Sequence, residues 1–169
     1  DSYIYSMSET YESNPLWAFY ANNNQGFCIE YDFNKAKGFD IEKKKMLLNT
    51  YGVIYSDDVK PYSFVDVLKF LLTGKKDNAL HLKANLELFA QLMTKQQDWS
   101  FEKEWRIMLA NLNDNKVPFD LVSRIVIDER TVESNEAKIL IDLCRKRGWG
   151  VLIRKTQFIN VAHKFEELV

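Results

Sequence analysis

Residues 123–154 constrain the fold more than any other stretch of the chain. Ser123 to Asp128 read SRIVID, with Ile125, Val126 and Ile127 consecutive, as expected of a strand covered on both faces. Residues 133–147 then place Ala137, Leu140, Ile141 and Cys144 at helical spacing and stop at Gly148, a residue suited to a left-handed helix end. Residues 151–154, VLIR, give a second apolar strand. Two strands joined through one helix belong in one sheet as a right-handed β-α-β crossover.

The remainder builds around that unit. Tyr3, Tyr5 and Met7 alternate with Ile4, Ser6 and Ser8, a strand pattern. Asn14-Pro15 opens a short helix to about residue 22, carrying Leu16, Trp17, Phe19 and Tyr20, and the Asn22–Gly26 run ends it. Phe27, Ile29 and Tyr31 oppose Cys28 and Glu30 in a second strand. Residues 34–45 are charged and irregular, and residues 46–55 are strand-like, with Gly52 marking a bulge. Two helices follow, over 61–73 and 78–96, the second with Leu82, Leu86, Phe89 and Met93 on one stripe. A strand is expected over 99–110, a loop over 111–120, and a small helix or extended tail over 158–169. The expected class is α+β: a single mixed β-sheet domain over 1–169, with an inserted helix pair and a C-terminal β-α-β unit. The chain lacks an initiator methionine and opens directly on a strand, so it reads as the C-terminal two-thirds of a larger domain.

Chemistry concentrates at residues 99–106, WSFEKEWR. Read with a period of two, Trp99, Phe101 and Trp105 share one strand face, and Glu102, Glu104 and Arg106 share the other. Carboxylates two residues apart on a strand stand about 6.5–7 Å apart, close enough to act on one ligand. The functional reading is a glutamate pair oriented by a guanidinium. The bland one is the wet side of a half-buried strand. Ser6 and Ser8, also two apart, either bind a ligand's polar edge or make local turn bonds. Trp17 and Tyr20, three apart on a helix, either wall a ligand or pack in the core.

Other classes lack support. No glycine stands in a phosphate-loop or dinucleotide-loop spacing, and there is no GxSxG, HExxH or CxxC motif. Cys28 and Cys144, His81 and His163 have no metal-ligand spacing, so no metal is expected, and the thiols read as buried and free. The net charge of −1 gives no reason to expect DNA or an anionic membrane, and Lys43–Lys45 and Arg145–Arg147 read first as solvated surface. No signal peptide and no apolar run of about 18 residues is present, so a cytoplasmic protein without a membrane partner is expected. Aromatic residues, at 14%, imply a core built on large rings.

Three stretches together, SMSET, NPLWAFYANNNQGFCIEYD, and Lys95 followed by WSFEKEWRI, resemble the bacterial domain-of-unknown-function family 2971. Its pattern is SFSE, then MWxxYAxxxxGxCxEFD, then a K…WxxExEWR block. Met7 and Leu16 depart from that pattern, and the family's N-terminal FNDPFE-like portion is absent here. A weaker resemblance links Ser6-Met7-Ser8 and Glu102-Lys103-Glu104 to the serine strand and Glu-x-Glu element of arginine-type ADP-ribosyltransferases. That resemblance implies NAD as substrate, bound by Ser6 and Ser8 with Trp17 and Tyr20 nearby. It implies Glu104 as the carboxylate stabilising charge on the ribose and Glu102 as orienting or deprotonating the acceptor. It also implies a protein or nucleic-acid acceptor and a role in toxin or phage-defence biology. The upstream Arg or His of that family has no counterpart here. The alternatives are a non-catalytic protein- or nucleic-acid-binding module and a metal-assisted nucleotide hydrolase.

Overall fold

The computed structural model describes residues 2–36, 47–58, 78–110, 121–156 and 163–168. The expected helix over 61–73 and loop over 111–120 lie outside them. The described chain is α+β, in two compact units. The first comprises residues 1–2, 10–49 and 109–169, and the second residues 3–9 and 50–108.

The strands are β1 (Ser2–Ser8), β2 (Phe27–Tyr31), β3 (Thr50–Gly52), β4 (Ile54–Tyr55), β5 (Thr94–Lys95), β6 (Glu104–Ala110), β7 (Val122–Asp128), β8 (Gly150–Thr156) and β9 (His163–Glu167). The helices are α1 (Asn14–Tyr20), α2 (Asn78–Leu92) and α3 (Asn135–Arg147). These strands form not one sheet but three, ordered β1-β6-β3, β2-β7-β8-β9 and β4-β5. Within the second unit the switch is local: the Val53 amide donates to the Glu104 carbonyl and the Ile54 amide to the Met93 carbonyl, so the chain passes from the three-stranded sheet to the β4-β5 pair in one step.

The four-stranded sheet of the first unit is mixed. β7 and β8 run parallel, joined through α3 as the sequence pattern requires, and β2 and β9 flank them antiparallel. The alternation of side chains sorts the core into two layers. Ile125, Ile127, Val151 and Ile153 meet Ala137, Ile141 and Cys144 of α3. On the other face Val126 and Leu152 meet Trp17 and Ala21. The Ile-Val-Ile run is apolar throughout because both faces are covered. Ser134 caps α3 by accepting from the Ala137 amide at 3.1 Å, and Gly148 closes it at φ 68°. Ser134→Ala should cost about 1 kcal/mol, read as a lower urea midpoint with unchanged slope.

Three expectations are corrected. Residues 97–102 form a 3-10 helix, and the strand begins only at Glu104. The alternation of residues 99–103 therefore belongs to no strand face. Of the two alternatives for the terminal segment the extended one holds over 163–167, which is a strand with His163 and Phe165 toward the α1 layer and Lys164 away from it. In α2, Leu86 is exposed, whereas Phe89 meets Tyr51 edge-on with centroids 5.0 Å apart and Met93 is buried beyond the helix end. Gly52 marks no bulge: it pairs in register with Trp105, and the Val53 amide still donates to the Glu104 carbonyl at 2.9 Å.

Candidate functional site

In the second unit a turn delivers both glutamates to one cation. The 3-10 helix starts where Asp57 Oδ1 accepts the Gln97 amide at 3.1 Å, and ends at Lys103 with φ 44° in the left-handed region. That turn, and not a shared strand face, brings Glu102 and Glu104 together. Both are buried, with 4% and 8% exposure. Lys95, from the two-residue strand β5, donates to Glu102 Oε2 and stands 3.4 Å from Glu104 Oε2. Its ammonium lies 4.8 Å from the centroid of the Trp99 ring, an attractive cation–π arrangement.

Arg106, two residues along β6 on the face of Glu104, grips it with two bonds. Nε reaches Oε1 at 2.8 Å and Nη2 reaches Oε2 at 3.0 Å. Its remaining Nη1 donates to the Leu92 carbonyl at the end of α2. The Glu104 amide donates to the Tyr55 hydroxyl at 2.7 Å, which fixes the backbone at the start of the strand. The Trp105 indole, on the opposite face, donates to Glu9 Oε1 at 2.7 Å.

Burial pushes the Glu104 carboxyl up. The hydrogen bonds from Arg106 and the Ser6 hydroxyl, with the charges of Arg106 and Lys95, outweigh it and hold the group at about 2. Burial lowers the Lys95 ammonium, and its bond to Glu102 with the charges of both glutamates raises it further than burial lowers it. Glu104 is thus a carboxylate under all ordinary conditions. The cluster balances two negative charges with two positive ones.

Of the residues singled out in the sequence, Ser6, Glu102, Glu104 and Arg106 come together here. Ser8 lies exposed at the end of β1. Trp17 and Tyr20 lie on α1 of the first unit. Trp17 is buried, donates to the Tyr11 carbonyl at 2.6 Å and stacks on the Arg154 guanidinium at 4.7 Å. Tyr20 is exposed. The sequence reading missed Tyr55, because a two-residue strand leaves no periodic trace.

It also missed a second charged cluster, in the first unit. Asp128 and Arg154 are register partners at the ends of the parallel strands β7 and β8, with 0% and 1% exposure. Arg154 Nη1 donates to Asp128 Oδ2 at 2.7 Å and to Asn24 Oδ1 at 3.1 Å, and Nη2 donates to Asn14 Oδ1 at 2.9 Å. Arg130 grips Asp128 from the turn beyond β7, Nε to Oδ1 at 2.7 Å. A signal existed: each strand of the β-α-β unit ends its apolar run on a charge of opposite sign. Asn22, Asn23 and Asn24 all take positive φ, which is how the Asn24 side chain turns back to Arg154.

Among the described residues no group of three His, Cys, Asp or Glu side chains is arranged to hold a metal, and no helix is long and apolar enough to cross a membrane. Burial and the neighbouring Glu30 push the Cys28 thiol up to about 11, away from nucleophilic use at neutral pH.

The geometry defines an α+β protein with a buried, charge-matched glutamate pair at the start of a central strand. The family model described as "Protein of unknown function (DUF2971)" matches residues 16–107, and the chain belongs to that family. The matched region includes Lys95, Glu102, Glu104 and Arg106, and it excludes Ser6, Asp128 and Arg154. No curated protein and no solved structure matched the chain.

Proposed function

We propose that the second unit carries the carboxylate centre of an NAD-consuming, ADP-ribosyltransferase-like enzyme acting on a protein or nucleic-acid acceptor. The observation that carries this reading is the hydrogen bond from Ser6, on the serine strand, to a Glu104 held ionised at about 2. The bond between ribose C1′ and the nicotinamide nitrogen breaks, and neutral nicotinamide leaves with the electron pair. The cationic ribosyl carbon is then taken by an acceptor nucleophile, whose proton passes to a base. A fixed carboxylate near that carbon stabilises the developing charge without reorganising. Glu104 fills that role in this reading, with Glu102 orienting the acceptor. The roles come from the resemblance in motif, an analogy rather than a demonstration.

A second reading rests on an equally specific observation. Arg106 and Lys95 already occupy the carboxylate oxygens, which suits an ion network that holds the 3-10 helix to β6 and carries no chemistry. Nicotinamide release from NAD by the full chain separates the two. The enzyme reading expects release by wild type, and loss of about 100-fold or more in Glu104→Gln with circular dichroism unchanged. No release by wild type across protein and nucleic-acid acceptors, or equal release by both proteins, overturns it.

A further inference from the structure

We infer that His163 is a proton-sensitive latch that holds β9 to the four-stranded sheet only while its imidazole is neutral. The inference concerns the first unit and is independent of the proposed NAD chemistry.

The geometry leaves one role for this ring. Its Nε2 stands 2.7 Å from Arg154 Nη2. A guanidinium has donors and no acceptor, so the imidazole must accept, and a protonated imidazole has no lone pair with which to do so. The neutral tautomer that fits carries its proton on Nδ1, a buried atom with no partner among the described residues. Arg154 Nε is buried and unpartnered in the same way. The bond to Arg154 is the ring's one side-chain hydrogen bond among the described residues, and one proton abolishes it; the backbone at Lys155 favours the protonated ring but does not outweigh burial and the Arg154 charge.

The surroundings oppose that proton. From β7 the ring sees Asp128, from the turn after β7 Arg130, from β8 Arg154, and from α1 only neutral Asn14. None of residues 157–162 is ionisable. Lys164 and Glu166, on β9 itself, alternate to the other face. One carboxylate already shared by two guanidiniums leaves a net positive charge before the histidine titrates. Burial first, then the Arg154 charge, hold the ring below its ordinary value.

The sign follows from linkage. A histidine lowered on folding binds fewer protons in the folded state than in the unfolded one. Its contribution is fully present above about 6.5 and is lost as pH falls toward the lowered value. Protonation sets two cationic donors 2.7 Å apart and loosens β9, which among the described residues is an edge strand pairing with β8 alone.

Hydrogen exchange of the full chain at pH 7.5 and 5.5, corrected for intrinsic rates, tests the latch. An unfolded histidine near 6.5 limits the gain in opening at pH 5.5 to about tenfold, so β9 amides should exchange measurably faster there, by up to about that factor. His163→Gln offers a carboxamide oxygen that accepts from Arg154 and does not titrate, and it should keep β9 protected at both pH values. Unchanged β9 protection in wild type, or the same acid loss in His163→Gln, overturns the inference. Should His163→Gln not fold, an NMR titration of wild type decides. The chain has two histidines, and the inference fails if both titrate at or above about 6.5.

Discussion

Asp128→Asn is expected to cost the first unit about 3–5 kcal/mol, and Arg154→Met distinctly less. The order is the informative part. Arg154 is 1% exposed, and its other partners, Asn14, Asn24 and His163, are neutral. Asparagine at 128 keeps the shape and removes the one countercharge bonded to Arg154 among the described residues, so a guanidinium stays buried without one. Arg154→Met leaves Asp128 with Arg130, bonded at 2.7 and 3.1 Å, and what is lost is the Trp17 stack and the bonds to the neutral partners Asn14, Asn24 and His163. The double variant should be more stable than Asp128→Asn alone, a coupling that a double-mutant cycle in urea reads directly. Equal costs for the two single variants would place the unfavourable charge elsewhere.

The same pair shows what could be read from the chain and what could not. Strands β7 and β8 and helix α3 were legible because apolar runs, helical periodicity and a terminal glycine all agree within about 30 residues, whereas the Ser134 cap emerged only from the structure. The parallel register that sets Asp128 beside Arg154 follows from that unit, yet a charge at a strand end looks like solvent contact until a covering layer is known. α1 supplies that layer from over a hundred residues away, and no local pattern announces it. β9 was left open between a small helix and an extended tail because HKFEE alternates over only five residues, too few to decide.

The glutamate pair was found for a reason that proved incorrect. Period two assigned Glu102 and Glu104 to one strand face, whereas a 3-10 helix and a left-handed Lys103 bring them together. Lys103 is neither Gly nor Asn, so nothing in its identity flags a positive φ. The aromatic spacing of Trp99 and Phe101 fits either geometry. The elements that complete the cluster, Lys95 on β5 and Tyr55 on β4, pair in register across two residues only, below any periodic signal.

Arg106→Met is expected to destabilise the second unit by about 3 kcal/mol at neutral pH and to move its acid unfolding upward. Glu104 is 8% exposed, and without Arg106 it keeps Ser6 and a Lys95 ammonium 3.4 Å away. Burial, which raises the carboxyl, then meets less opposition. In wild type the group moves from 4.5 to about 2 on folding, equivalent to roughly 3 kcal/mol of stability. A carboxyl lowered on folding contributes fully above about 4.5 and loses that contribution as pH falls toward 2. Glu104→Gln should therefore flatten the dependence of stability on pH between those values, and Arg106→Met should shift it to higher pH. Urea unfolding at a series of pH values, followed by hydrogen exchange within β6, measures both. Parallel acid limbs in all three proteins would show that Arg106 does not hold Glu104 ionised. The ion-network reading, which needs Arg106 to hold that carboxylate, would fall with it.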